Sequence, residues 1–235
     1  MAPDVTSLTE RRDVPRRSGW RSNLTVALTR LVPAAIAIWA LMAVLGYLLT
    51  RPWHHTAFER RDAWINRYLA EHRTSLMNTA THAVTYASDT YTVIIVGLVF
   101  FVGMRLRLGR WRESMFLLAA IVGEVLIFIS TTLVIHRPRP PVHRLDVVPP
   151  TSSYPSGHVA ASIVLYAGLA IIALRTSTRM WLRVLAVWAA FLIPIGVAFS
   201  RLYRGMHYPS DLLAGALLAF LWLTVTVSVV LKGRW

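Results

Sequence analysis

The sequence predicts an all-α protein: a polytopic membrane bundle of six transmembrane helices with an added interfacial helical segment. Two observations carry that prediction. Hydrophobic residues make up 55% of the 235-residue chain and charged residues only 15%, where soluble domains carry about 25% charged residues. Apolar runs close to the roughly 20 residues that span a hydrocarbon core also recur along the chain. Cysteine is absent, which removes disulfides, thiolate nucleophiles and cysteine-ligated metals.

Taken in order, residues 1–23, "MAPDVTSLTERRDVPRRSGWRSN", are polar and Arg-rich and read as a disordered cytoplasmic tail. Residues 24–235 read as one six-span membrane domain. No secretory cleavage site precedes the first apolar run, so that run is expected to remain as a signal anchor. The six apolar segments are 31–50, 89–105, 114–135, 158–174, 181–200 and 211–231. Segment 51–88, between the first two, is too polar to cross a bilayer. Trp64, Tyr68, Leu69 and Leu76 give it one apolar face, as expected of extracytoplasmic interfacial helices. They read as a scaffold or lid, with no chemistry assigned.

Lys and Arg in alternate loops set the orientation. Fifteen fall in the tail, the 105–113 and 175–183 turns and the C-terminus, against ten on the opposite side. Both termini are therefore expected in the cytoplasm, with all eight histidines on the outer side. The net charge of +14 would suit nucleic acid, but the basic residues are scattered between apolar segments and do not form one arm. No nucleic-acid partner is expected.

Three separated stretches meet on that outer face: "HRPRPP" (136–141), "PSGH" (155–158) and "SRLYRGMHYPSD" (200–211). Arg137 and Arg139 have two readings, interfacial anchors or phosphate ligands. Six of the twelve prolines lie in 136–157 and stiffen that loop around them. Ser156 is either an ordinary helix cap or part of an oxyanion cradle. In the second case Gly157 lets the backbone approach closely and His158 stands by as a proton donor. Asp211, four residues after His207, is placed to reach the imidazole N–H and fix its tautomer, beside Arg201 and Arg204. Two histidines, an aspartate and several arginines at the ends of four spans suit phosphoryl transfer: cations for the oxygens, a nucleophile in line and an acid for the leaving group. Glu124, inside the third segment, reads as an interhelical contact or as a polar lining to a headgroup channel.

These residues resemble the type-2 phosphatidic acid phosphatase superfamily, which also includes vanadium haloperoxidases. Its pattern is K-x6-RP, then PSGH, then SR-x5-H-x3-D. Here RP is Arg139-Pro140, PSGH is Pro155 to His158, and the third part runs from Ser200-Arg201 through His207 to Asp211. The resemblance covers about residues 55–231. Its first part departs, because Thr132 stands where the family has lysine; Arg137, Arg204 or His136 is then expected to supply the charge, with Arg137 the best placed. The resemblance implies an integral-membrane lipid phosphatase that needs no metal and no cofactor. Its substrate would be a lipid monophosphate or diphosphate such as a polyprenyl diphosphate, phosphatidic acid or phosphatidylglycerol phosphate. In that mechanism His207 attacks phosphorus and Asp211 holds its ring. Arg139, Arg201, Ser156 and the N–H of Gly157 bind the phosphoryl oxygens, and His158 protonates the leaving group. A phosphotransferase of the same superfamily and a non-catalytic lipid-binding protein are the competing readings.

Overall fold

The computed structural model describes residues 20–53, 56–107 and 109–232. Those residues form eight α-helices: α1 (Trp20–Thr50), α2 (Ala57–Glu71), α3 (Ser75–Thr85), α4 (Thr90–Val102), α5 (Trp111–Val134), α6 (Gly157–Thr176), α7 (Met180–Tyr203) and α8 (Pro209–Thr226). No strand occurs among the described residues. Of the expected tail, residues 1–19 lie outside the described residues, while α1 already begins at Trp20.

Five helical segments are long and apolar enough to cross a membrane: Ala27–Thr50, Trp111–Val134, Gly157–Thr176, Met180–Tyr203 and Pro209–Leu231. The sixth expected segment behaves differently. Thr90–Leu106 passes only together with Ser75–Ser88, from which it is bent by 45°. At about 1.5 Å per residue, the regular part of α4 falls well short of a hydrocarbon core about 30 Å thick. The bundle thus has five spans, or six when the bent pair counts as one.

The helices bury their polar groups and expose their apolar ones, as hydrocarbon requires. On α7, the exposed residues Trp181, Leu185, Trp188, Leu192, Ile195 and Phe199 recur every three or four positions and form one lipid-facing stripe. Inside, the hydroxyls of Thr131 and Thr226 donate to carbonyls one turn back on their own helices, and Ser114 donates to the Arg110 carbonyl just before α5. These features make the chain an integral membrane protein.

Helix α6 sits at the centre, packed against α7, α8 and α5. Side chain-to-backbone bonds tie its neighbours together. Trp222 Nε1 on α8 donates to the Ala120 carbonyl on α5 at 3.0 Å, and Ser200 Oγ on α7 donates to the Thr81 carbonyl on α3 at 2.7 Å. The backbone of α8 comes close to the start of α6 at Gly215. A Cβ on Gly215 would collide with the Ser156 carbonyl oxygen, so only glycine fits without moving one helix.

Gly215→Ala is therefore expected to destabilise the fold by about 1–3 kcal/mol, the usual range for overpacking. Thermal unfolding of detergent-solubilised protein would register this as a lower Tm; an unchanged Tm would show that the two helices separate freely.

Candidate functional site

The sequence motifs meet where α5 runs into the loop over 135–156, α6 begins, and the turn at 204–208 joins α7 to α8. Gly205 makes that turn with a φ of +72°. A side chain there would also press on Val142 and on the His143 carbonyl. The turn therefore fits tightly under the proline-rich loop.

His207 is buried, and its Nδ1 lies 2.7 Å from the Ser153 carbonyl. A carbonyl can only accept, so Nδ1 carries the proton and Nε2 keeps its lone pair. Asp211 was expected to make this contact, but its Oδ2 lies 3.8 Å from Nδ1, beyond hydrogen-bond length. Other donors occupy the carboxylate. Oδ2 accepts from the Ser153 hydroxyl at 2.6 Å and from the Tyr208 N–H at 2.9 Å, and Oδ1 accepts from Arg137 Nη1 at 2.5 Å. Asp211 thus fixes the residue whose carbonyl fixes the ring. Burial pulls the His207 imidazole below the ordinary histidine range; the charges of Arg201 and Arg139 add to this, and Asp211 opposes it.

Arg137 is not available as the missing cation, which corrects the expectation for it. Its guanidinium is buried between Asp211 and Asp62, 3.0 Å from the latter, and stacks over the Tyr208 ring at 4.3 Å. Two buried carboxylates at hydrogen-bond distance hold it more firmly than proximity along an extended segment would direct it elsewhere. Arg204 is committed as well. It donates to both Asp146 oxygens, the closer at 2.6 Å, and to the carbonyls of Asn78 and Leu145 at 3.0 Å. His136 is exposed, and Thr132 donates its hydroxyl to the Ile129 carbonyl of its own helix at 2.8 Å. None of these four residues takes up the lysine's charge in this structure.

The free donors lie elsewhere. Arg139 gives Nη1 to the Met206 carbonyl at 2.7 Å, and Arg201 gives Nη1 to Thr85 at 2.8 Å and to Asp146 at 2.9 Å. The Nε of each is buried without a hydrogen-bond partner among the described residues, and so is the Ser156 hydroxyl. Ser156 precedes α6 but makes no side-chain capping bond, so the plain cap reading does not hold. Beside it, the first N–H groups of α6 lack helical acceptors and present the positive end of the helix dipole. His158 is half-buried, and its electrostatic neighbours include Arg201, His207 and Arg139. Orphaned buried donors are costly. Gathered at a helix start between two imidazoles, they form a cradle suited to a tetrahedral oxyanion.

Asp62, Asp146, Ser153 and Ser210 escaped the sequence reading. The only sign of Asp62 was its i,i+4 spacing to Asn66, opposite the aromatic face of α2. Asp146 carried no sign at all. Among the described residues, no three His, Cys, Asp or Glu side chains gather in a metal-binding group.

Fold and site together define a helical membrane protein with a cluster of buried, partly unpaired donors at one end of its spans. A family model, the PAP2 superfamily, matches residues 113–235, and the chain belongs to that superfamily. Among curated proteins it is 29% identical over 133 residues to an undecaprenyl-diphosphatase of Sulfolobus acidocaldarius, covering 57% of this chain and 60% of that one. It is 40% identical over 65 residues to a lipid A 4'-phosphatase of Bacteroides thetaiotaomicron, covering 28% of this chain and 25% of the other. The matches therefore span about 60% and 25% of these relatives' lengths. Among solved structures, the fold resembles a transmembrane PAP2 type phosphatidylglycerolphosphate phosphatase from Bacillus subtilis, with a TM-score of 0.71 at 20% identity, covering 85% of this chain and 97% of that one. It also resembles Aquifex aeolicus LpxE, with a TM-score of 0.54 at 21% identity, covering 69% and 92%.

Two outcomes follow from the charges. Histidine-labelled protein followed by NMR should show the His207 ring, assigned by its absence in His207→Ala, neutral with its proton on Nδ1 at pH 6; titration near 6.5, about the ordinary value, would contradict this. Asp146 is the second case. Burial alone would raise its carboxyl, but the Arg204 hydrogen bonds and the charges of Arg201 and Arg204 outweigh burial and hold it below the usual aspartate range. A depressed carboxyl stabilises the fold above its unfolded value, about pH 4, and the contribution disappears as pH falls through the folded value. Asp146→Asn should thus cost about 3 kcal/mol at neutral pH and flatten the fall of Tm below pH 4.

Proposed function

We propose that the protein is an integral-membrane lipid phosphatase, hydrolysing a phosphomonoester or a pyrophosphate of a lipid through a phosphohistidine. One observation carries this reading: the buried, partnerless donors of Ser156, Arg139 and Arg201 beside the free N–H groups that open α6. A phosphoryl group supplies the oxygens they lack. The curated relatives, named for undecaprenyl diphosphate and lipid A phosphate, support a lipid substrate.

His207 is the nucleophile. With its proton held on Nδ1 by Ser153, the Nε2 lone pair attacks phosphorus as the bond to the leaving oxygen breaks. His158 gives that oxygen a proton. Arg139, Arg201, Ser156 and the Gly157 N–H hold the three equatorial oxygens, whose charge they match best in the transition state. His158, now basic, takes a proton from water as the water attacks phosphorus, the P–N bond breaks and inorganic phosphate leaves.

The basic turns at 105–113 and 175–183 lie at the opposite end of the bundle from the site. This supports cytoplasmic termini and an extracytoplasmic pocket.

The test is phosphate release by purified protein from a panel of lipid monophosphates and diphosphates with EDTA present. Release is expected, with inhibition by orthovanadate. His207→Ala should abolish it, and His158→Ala should lower kcat by about 10²–10⁴-fold. Transfer of phosphate only when an alcohol acceptor is supplied would replace hydrolysis with phosphotransfer. Full activity of His207→Ala would end the proposal.

A further inference from the structure

Helix α2 contributes a buried carboxylate, Asp62, to the site. Asp62 lies on its inner face, 4% exposed, while Trp64 and Tyr68 point outward. Its carboxylate accepts from Arg137 Nη2 at 3.0 Å, from the Ser210 N–H at 3.2 Å and from the Ser210 hydroxyl. Arg137 Nη1 in turn reaches Ser210 Oγ at 2.7 Å and Asp211 Oδ1 at 2.5 Å. From Asp211 the bonds continue through Ser153 to the His207 ring. Asp62, Arg137 and Asp211 thus form a buried minus–plus–minus row that ends on the imidazole.

We infer that Asp62 is a positioning residue for the reaction, holding Arg137 on Asp211 and so aiming the His207 ring at phosphorus. The inference rests on the phosphatase reading above.

Two features of the geometry support it. Arg137 is buried between Asp211 and Asp62, so its guanidinium is held from two sides. Asp62 supplies the second carboxylate that keeps it in place. The Ser210 bonds also pin the first turn of α8, from which Asp211 projects. Asp62 is not among the hydrogen-bond partners of Arg139 or Arg201, and the Ser156 hydroxyl has none among the described residues. The influence of Asp62 therefore runs through Arg137 and Ser210 and not through substrate binding.

The experiment uses the full chain in detergent with a lipid phosphate that the wild type hydrolyses, and measures kcat, KM and orthovanadate inhibition. Misaiming the nucleophile should lower the kcat of Asp62→Asn by about 10- to 100-fold, with vanadate inhibition within about threefold of wild type. Asp62→Asn combined with Arg137→Gln should be no slower than Arg137→Gln alone, because both act on one connection. Unchanged kcat, vanadate affinity falling in step with kcat, or losses that multiply in the double variant would each overturn the inference. If Asp62→Asn is not recovered as a monodisperse protein, Asp62→Glu is read in the same way; it keeps the charge and displaces it by one methylene. A wild type that releases phosphate from no lipid would instead sink the phosphatase reading, which separates the two failures.

Discussion

The buried carboxylate of Asp211 is the constraint on which the rest of the site depends. It has no exposed surface and receives three hydrogen bonds, from three different parts of the chain. An ion taken out of water in this way is stable only while every partner stays. Arg137 brings the end of the α5 loop, Ser153 the segment entering α6, and Tyr208 the start of α8. The carboxylate therefore holds the loop and the two helix starts in one arrangement. His207 inherits its orientation from that arrangement without touching Asp211 directly.

The membrane explains why so much polar chemistry concentrates at one end. Within the hydrocarbon, the hydroxyls of Thr131 and Thr226 bond to their own helices and the Trp222 indole to a neighbouring carbonyl. At the helix ends, backbone groups lack helical partners and water can enter. Charged side chains are affordable there only as pairs, and the described site contains them as pairs: Arg137 with Asp62 and Asp211, and Arg201 and Arg204 with Asp146. Arg139, paired with a carbonyl, is the exception, and it faces the cradle.

How much of this was legible in the sequence follows from distance along the chain. Five of the six spans announced themselves through long apolar runs. The 89–105 segment read as an independent span because composition does not reveal that α4 is short and bent against α3. Ser156, Gly157 and His158 are adjacent, and His207 and Asp211 lie four apart, so local spacing brought them to notice. Spacing brought His207 and Asp211 within 3.8 Å but did not show that the Ser153 carbonyl, 54 residues away, takes the ring's hydrogen bond. Arg137 was misjudged for the same reason: its carboxylates lie 75 and 74 residues distant. Asp62 had only its spacing to Asn66 to mark it and Asp146 had nothing, and only folding shows which arginines they meet.

The shared carboxylate of Asp146 has a consequence for how the protein lets go. Four arginines (137, 139, 201, 204) and three aspartates (62, 146, 211) surround the pocket, a balance of four minus three, or one positive charge. Four unneutralised guanidinium groups would grip liberated orthophosphate as tightly as they grip the reacting group, and binding both equally well does not speed turnover. Under the phosphatase reading proposed above, neutralising most of that charge leaves attraction enough to admit a dianion and little to retain it, so the emptying of the site is provided for in the same ion pairs that shape it.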